Sequence, residues 1–227
     1  MKSPTRGYFL LACAALLLAG CGYSRIPEEV TDDGLVRVPS RAAGGVYRAP
    51  GAEFGQYKRL ILEPPTIEFM PNWREQHPEV SDREALRLRD EAVKLFHDEF
   101  KREFVDRGNY EFAETPGEDV LLVIPRVVDL DIPAPDAGRD IDVKTYTQGP
   151  VKMQVVGELR DASSNQLVGR VIVFEGQSQY SKYGMHQATR ASNAHEMRLG
   201  FAKWSKIAHE ALYVAKASRP DPPQKGQ

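Results

Sequence analysis

A long amphipathic helix is the feature that most restricts how this chain can fold. Ser81-x-x-Glu84 has the spacing of a capping box, in which two side chains satisfy each other's free backbone N–H groups. Apolar residues then recur with the period of a helix, at Ala85, Leu88, Ala92, Leu95, Phe96, Phe100, Phe104 and Val105. We predict a helix over residues 82–107 with Gly108 as its C-cap. Its apolar face has to be buried against a second layer of structure.

Segments of alternating polarity predict a sheet as that second layer. Residues 151–159 alternate with period two, residues 161–166 form a turn cluster, and residues 167–175 return as the second strand of a hairpin. Shorter strands are predicted over residues 57–62, 66–70 and 110–113, followed by a strand in two parts, 120–124 and 127–132, with Pro125 between them. Pro125 indicates that the last of these is an edge strand or contains a bulge.

A second amphipathic helix closes the predicted domain. It opens at Asn193-x-x-Glu196 and runs to about Lys216. Its apolar face consists of Met197, Phe201, Trp204, Ala208, Leu212 and Ala215. These elements predict an α+β fold, in which a mostly antiparallel sheet of about five strands carries two amphipathic helices on one face.

The predicted domain organisation has four parts. Residues 1–20 are a signal peptide, residues 21–53 a lipidated N-terminus and flexible tether, residues 54–217 a single α+β domain, and residues 218–227 a Pro-rich disordered tail. The tether is predicted from its Gly, Pro and charged residues and its weak periodicity. An arm packed along the domain is the alternative for that segment.

The first residues have the three parts of a secretory signal peptide. Lys2 and Arg6 give a positive start, residues 8–18 are uncharged and largely apolar, and Ala19 and Gly20 are small. A membrane-spanning helix needs about 20 apolar residues, so this run is too short to remain as an anchor. The alternatives are an ordinary signal peptide with an unrelated cysteine, or a helix of the domain itself.

Leu18-Ala19-Gly20-Cys21 matches the bacterial lipobox. In that motif the cysteine thiol takes a diacylglyceryl group and then becomes the acylated N-terminus. Because one acyl chain binds weakly and two or more bind firmly, we predict a stable membrane anchor with Cys21 as the lipid attachment site. Gly22, which is not an Asp, favours the outer membrane, with the domain facing the periplasm.

Charge and cysteine content exclude several classes of function. Lys and Arg total 30 and Asp and Glu total 32, so the basic excess of a nucleic-acid-binding protein is absent. Of the two cysteines, Cys13 would leave with the signal peptide and Cys21 would be acylated. The exported domain would then have neither a disulfide nor a thiol nucleophile.

No complete catalytic or metal-binding motif is found. His195-Glu196 lacks the second histidine of a zinc helix, and Ser178 lacks the glycine of a nucleophile elbow because Tyr180 stands at that position. We therefore predict no catalytic residue, no metal site and no cofactor.

Two pairs of acidic residues leave one alternative open, which is chemistry that depends on paired carboxylates. Asp129 with Asp131, and Asp140 with Asp142, are spaced so that each pair faces one side of a strand. Two such carboxylates could share a proton or a cation. A solvated strand face is the favoured interpretation.

The order of several motifs resembles a known family. VLLVIPRVVDLDIPAPD (120–136), Tyr146, Met153 and Glu158-Leu159-Arg160-Asp161 are similar to a family of bacterial lipoproteins of unknown function, the domain-of-unknown-function family numbered 3313. LILEPPTIEF (60–69), YEFA (110–113), Asn193 and Trp204 fit the same order, whereas QSQYSKYGMH (177–186) does not. The resemblance covers residues 45–215. It implies a membrane-anchored α/β domain facing the periplasm and no catalytic residue.

Together these observations favour a protein that is not an enzyme. The expected role is a periplasmic binding or adaptor module, held at the membrane by the lipid on Cys21, with an unidentified envelope protein as partner. One alternative is a carrier of a small ligand or lipid, which an apolar cavity of several hundred Å³ between helices and sheet would support. The other is an acid-dependent envelope hydrolase that uses Asp129 and Asp131.

Overall fold

A computed structural model describes residues 28–42, 44–132, 145–147, 151–176 and 186–217. The strands are β1 Val36–Val38, β2 Gly45–Arg48, β3 Arg59–Leu62, β4 Thr66–Phe69, β5 Glu111–Phe112, β6 Val120–Asp131, β7 Thr145–Thr147, β8 Lys152–Asp161, β9 Leu167–Glu175 and β10 His186–Ala188. The helices are α1 Trp73–Gln76, α2 Asp82–Lys101, which continues as a π-helical turn Arg102–Asp106, and α3 Arg190–Ala217. The predicted signal peptide, Cys21 and the predicted tail lie outside the described residues.

A mixed sheet of eight strands forms one layer. Its order is β1-β2-β9-β8-β6-β3-β5, and β4 pairs with β6 beside β3. β6 is antiparallel to β8 and parallel to β3 and β4. The α+β class is confirmed, but the mostly antiparallel sheet of five strands is wrong. The parallel pairs arise because α2 separates β3 from its partners β5 and β6, and a crossover helix returns the chain in the same direction.

Part of the segment predicted as a flexible tether belongs to the sheet. β1 pairs with β2, and β2 pairs with β9 through Val46 and Val171. Val46 and Tyr47 are each only 4% exposed. The tether prediction is therefore wrong for these strands, and the alternative of an arm packed along the domain describes them. Strands of three and four residues are too short to show a clear period of two.

The predicted long helix is confirmed, with a different C-terminal end. The hydroxyl of Ser81 accepts a hydrogen bond from the backbone N–H of Glu84, as the capping motif predicts. At the other end the left-handed residue is Asn109, with φ 58, and not Gly108. Gly108 is required for a different reason, because a Cβ there would lie 2.6 Å from the carbonyl oxygen of Phe104.

Pro125 predicted either an edge strand or a bulge; β6 is a central strand that contains a bulge, so the edge position is wrong. β6 pairs with β3 as far as Val123 and with β4 from Arg126 onward. Pro125 thus lies opposite the break made by Pro64 and Pro65, where the hydrogen-bond ladder on that side is already interrupted. The register shift in the β6–β8 pairing lies farther along, between Val128 and Asp131.

The core lies between the sheet and the two long helices. α3 begins at Arg190, before the predicted start, and Thr189 and Ser192 each accept the other's backbone N–H through their hydroxyls. Its predicted apolar face is confirmed for Met197, Phe201, Trp204 and Ala208, which are fully buried, and for Leu212, which is 2% exposed. The side chain of Ala215, the last residue of that face, lies outside the description. The Trp204 ring lies directly over Gly157 of β8, and its indole N–H donates to the carbonyl of Val171 at 3.3 Å.

Candidate functional site

Two helices are too narrow to cover this sheet. Seven strands at a spacing of about 4.8 Å span about 29 Å, whereas two helices side by side cover about 20–24 Å. α3 packs on β8 and β9, and α2 lies beside it on the side of β4. β2 is therefore left beyond the outer flank of α3, and a groove forms there.

We call this depression the β2–α3 groove. It has a volume of about 860 Å³ and lies between the β1–β2 connection, β2 and the C-terminal half of α3. Its floor and walls are largely apolar and come from four separate parts of the chain: Val38, Val46, Phe54, Leu159, Ile207, Ala211 and Leu212. Each of the floor residues Val46, Phe54, Leu159 and Leu212 is less than a twentieth exposed.

Polar groups lie at the mouth of the groove. Arg41 is exposed and Arg48 is half-buried, and the side chain of neither makes an ion pair or hydrogen bond within the described part of the chain. Tyr213 lies at the same mouth with 69% of its surface exposed. Glu210 is the carboxylate that lines the groove, and Lys206 lies 4.0 Å from it. The mouth therefore has an excess of positive charge.

One wall of the groove is tied to the rest of the helix layer. His209 of α3 lines the groove, and its Nδ1 lies 3.2 Å from Oε1 of Glu103 in the π-helical turn. Its ring also packs on Phe104, with the centroids 5.3 Å apart. These contacts hold this part of α3 against the π-helical turn.

A second, polar hollow of about 390 Å³ lies at the β8–β9 turn. Asp161 in this hollow accepts hydrogen bonds from the backbone N–H groups and hydroxyls of Ser163 and Ser164, and from the Tyr57 hydroxyl at 3.0 Å. These bonds, above all the one from the Ser163 side chain, lower the pKa of Asp161 to about 2. Burial together with Asp161 raises the pKa of Tyr57 to about 12. Asp161 thus holds the turn and is not poised to exchange protons near neutral pH.

Asp161 predicts a pH dependence of stability. Its pKa in the folded protein lies below the unfolded value of about 3.9, so its contribution is complete above about pH 5 and declines as the pH falls toward 2. In Asp161→Asn we expect the free energy of unfolding to fall less steeply over that range than in the unsubstituted protein. Urea denaturation at a series of pH values measures this slope. Glu63→Gln, which removes an exposed carboxylate, is the control, and equal slopes for Asp161→Asn and the unsubstituted protein would contradict the assignment.

The first predicted acidic pair does not share a face of its strand. Asp129 is exposed and has a positive φ of 53°, whereas Asp131 is 8% exposed and lies 3.5 Å from Lys152. The bulge inserts one residue, so the buried positions change from Val127 to Leu130. Neither acid lines the β2–α3 groove or the polar hollow.

Other predicted site residues fall outside the described chain. Asp140, Asp142, Ser178 and Cys21 are among them. Within the described ranges, no group of three or more His, Cys, Asp or Glu side chains could hold a metal ion. The helices of the same ranges also include none that is long and apolar enough to cross a membrane.

Sequence reasoning missed the β2–α3 groove. Arg41, Val46 and Arg48 lie in the segment predicted as a tether, and Leu159 and Leu212 were predicted only as core residues. The short apolar runs of β1 and β2 were the available signal, and they can be recognised as strands only once the pairing of β2 with β9 is known.

Several solved structures of bacterial proteins match this chain at low similarity. The PelC dodecamer from Paraburkholderia phytofirmans is 12% identical, with 71% of this chain and 96% of that chain covered and a TM-score of 0.37. Protein XCC0632 from Xanthomonas campestris is 10% identical, with 75% and 91% covered and a TM-score of 0.40. A protein from Caulobacter crescentus CB15 assigned as a lipoprotein is 14% identical, with 56% and 85% covered and a TM-score of 0.31. All three TM-scores lie below 0.5, and no argument about this chain rests on them.

Comparison with curated proteins returned no significant match. The family model described as "Protein of unknown function (DUF3313)" matches residues 28–206. The match begins at the first described residue and includes both strands of the arm, β2 among them, and most of α3. It confirms the family resemblance found in the sequence: the chain belongs to the DUF3313 family.

Proposed function

We propose that the protein is a non-catalytic, lipid-anchored binding module of the bacterial cell envelope, and that the β2–α3 groove holds its ligand. The observation that carries the proposal is the cavity of about 860 Å³ with an apolar floor. Ligand pockets of proteins have volumes of about 300–1,000 Å³ and are lined mainly by apolar side chains with a few polar groups. The sequence favoured an adaptor over a carrier, and the groove reverses that preference.

The anchor supports the same role. If Cys21 is acylated, only residues 22–27 separate it from the first described residue, Glu28. A chain of that length spans at most about 25 Å even when fully extended. The β1–β2 arm that borders the groove would therefore be held close to the bilayer, where apolar ligands are concentrated.

The hydrolase alternative has no comparable support. Asp131 is engaged with Lys152, Asp129 is solvent-exposed at the bulge, and Asp161 is saturated with hydrogen bonds. A catalytic carboxylate has to lie within hydrogen-bond reach of a bound substrate, and none of the three lines the apolar groove.

Photolabelling with a neutral long-chain alcohol that carries a diazirine tests the proposal. The acylated mature protein, reconstituted in neutral phosphatidylcholine vesicles, should be labelled within residues 207–213 of the α3 wall. Ala211→Trp fills the groove and should reduce this labelling about tenfold, equivalent to about 1.4 kcal/mol of binding free energy. Ala191→Trp adds the same ring at an exposed position outside the groove and should leave the labelling unchanged.

Circular dichroism of both variants establishes that they are folded. Labelling spread over the protein surface, or labelling that Ala211→Trp does not reduce, would contradict a ligand site in the groove.

A further inference from the structure

We propose that the ligand of the β2–α3 groove is an acyl lipid with an anionic headgroup, taken from the membrane beside which the domain is held. This inference rests on the proposed function and adds the chemical class of the ligand. The headgroup is bound by Arg41 and Arg48 at the mouth, and the acyl chain lies on the apolar floor.

The two arginines at the mouth differ from most of the arginines that the structure describes. Arg59 lies 2.6 Å from Asp119, Arg102 lies 2.7 Å from Glu99, and Arg87 lies 2.8 Å from Glu91, which is the usual arrangement here. Arg41 and Arg48 have no such carboxylate among the described residues. Two guanidinium groups that have no carboxylate partner in the described ranges, beside one apolar groove, leave a site that an anion would complete.

Guanidinium chemistry specifies the kind of headgroup. The planar fork of an arginine donates two parallel hydrogen bonds to a carboxylate or a phosphate, and it is less strongly hydrated than an ammonium group. Arg48 is half-buried and its backbone is held in β2 between β1 and β9. Binding of a headgroup therefore costs less conformational entropy at Arg48 than it would at a residue of a flexible segment. A neutral apolar ligand would offer neither guanidinium group an anion to bind.

The groove separates the two ends of such a ligand. Val46, Leu159 and Leu212 are deep in the groove, whereas Tyr213 is largely exposed at its mouth. Along the α3 wall, from Ile207 to Tyr213, the helix rises about 9 Å, which is enough to contact several methylene groups in succession. An acyl chain fits this apolar surface, and the polar mouth keeps its headgroup in contact with water.

Other segments of this chain match the groove less well. Residues 218–227, which follow α3, contain the cations Arg219 and Lys225 and the single acid Asp221, and they have no large apolar side chain. The diacylglyceryl group expected on Cys21 is neutral at its attachment point. Neither supplies both a negative charge and an apolar chain.

Competition against the diazirine alcohol tests the headgroup. Palmitate and hexadecanol are added in turn to the acylated protein in neutral phosphatidylcholine vesicles, at equal content in the membrane. We expect half-maximal loss of groove labelling at about tenfold less palmitate than hexadecanol. In Arg41→Glu with Arg48→Glu the two competitors should become equivalent, while labelling by the alcohol itself persists. Arg83→Glu, at an exposed position on α2, should keep the preference for palmitate.

The outcomes separate this inference from the proposed function. No labelling of the groove by the alcohol would contradict the binding role itself. Labelling with equal competition by palmitate and hexadecanol would leave a groove ligand in place and overturn the anionic headgroup. Labelling only in a protein without the lipid on Cys21 would identify the protein's own acyl chains as the occupant, and would also overturn the inference.

Discussion

Gly157→Ala is expected to destabilise the protein by about 3 kcal/mol, because the added methyl group has no space. A Cβ at this position would lie 2.2 Å from Cζ2 of Trp204, far inside van der Waals contact. The indole cannot retreat, since it packs on Phe96 with the ring centroids 5.4 Å apart and is fully buried. Either α3 lifts from β8 or the strand bends, and both lose core contacts.

Urea denaturation followed by circular dichroism measures this effect. For a chain of this size, 3 kcal/mol corresponds to a decrease in Tm of about 6–12 °C. Gly55→Ala is the matched control, because nothing lies within 4 Å of a Cβ there and its φ is not positive. If Gly157→Ala were as stable as Gly55→Ala, the packing of Trp204 on β8 would be described incorrectly.

Cys21→Ser is expected to abolish the membrane anchor completely. Its hydroxyl is a far weaker nucleophile than the thiol, so no diacylglyceryl group should be attached. Cells supplied with labelled palmitate should incorporate label into the unsubstituted protein and none into Cys21→Ser. Cys13→Ser removes the other cysteine of the chain, which lies within the predicted signal peptide, and should leave incorporation intact.

Fractionation of the same cells measures the consequence. With two or more acyl chains the protein should remain with the membrane through salt and carbonate washes, because several chains bind far more firmly than one. Equal incorporation of palmitate into Cys21→Ser and Cys13→Ser would show that Cys21 is not the attachment site.

Long periodic segments were predictable from the sequence. α2 and the β8–β9 hairpin each repeat their hydrophobic pattern over many residues, and a pattern of that length rarely arises by chance. β1 and β2 have only three and four residues, and their assignment depends on the pairing of β2 with the distant strand β9. The bulge near Asp129 could not be predicted either. One inserted residue shifts the alternation of buried and exposed positions along β6, and the amino-acid composition of the strand gives no sign of that shift.

The candidate site depends even more on tertiary structure. Arg41 and Leu212 are far apart in the sequence and meet only because β2 pairs with β9 and α3 crosses the sheet beside it. The groove also depends on a mismatch of widths, between a sheet of seven strands in order and a layer of two helices. A sheet of about five strands, as first expected, would have been almost fully covered by two helices.

Nuclear Overhauser effects between bound ¹³C-labelled palmitate and the methyl groups of the protein test the central claim most directly. The β2–α3 groove predicts contacts from the acyl chain to the methyl groups of Val46, Leu159 and Leu212. It predicts none to Val156 and Ile172, which are partly exposed on the opposite face of the sheet. Contacts confined to Val156 and Ile172, or contacts to neither set, would contradict the claim that the groove is the binding site.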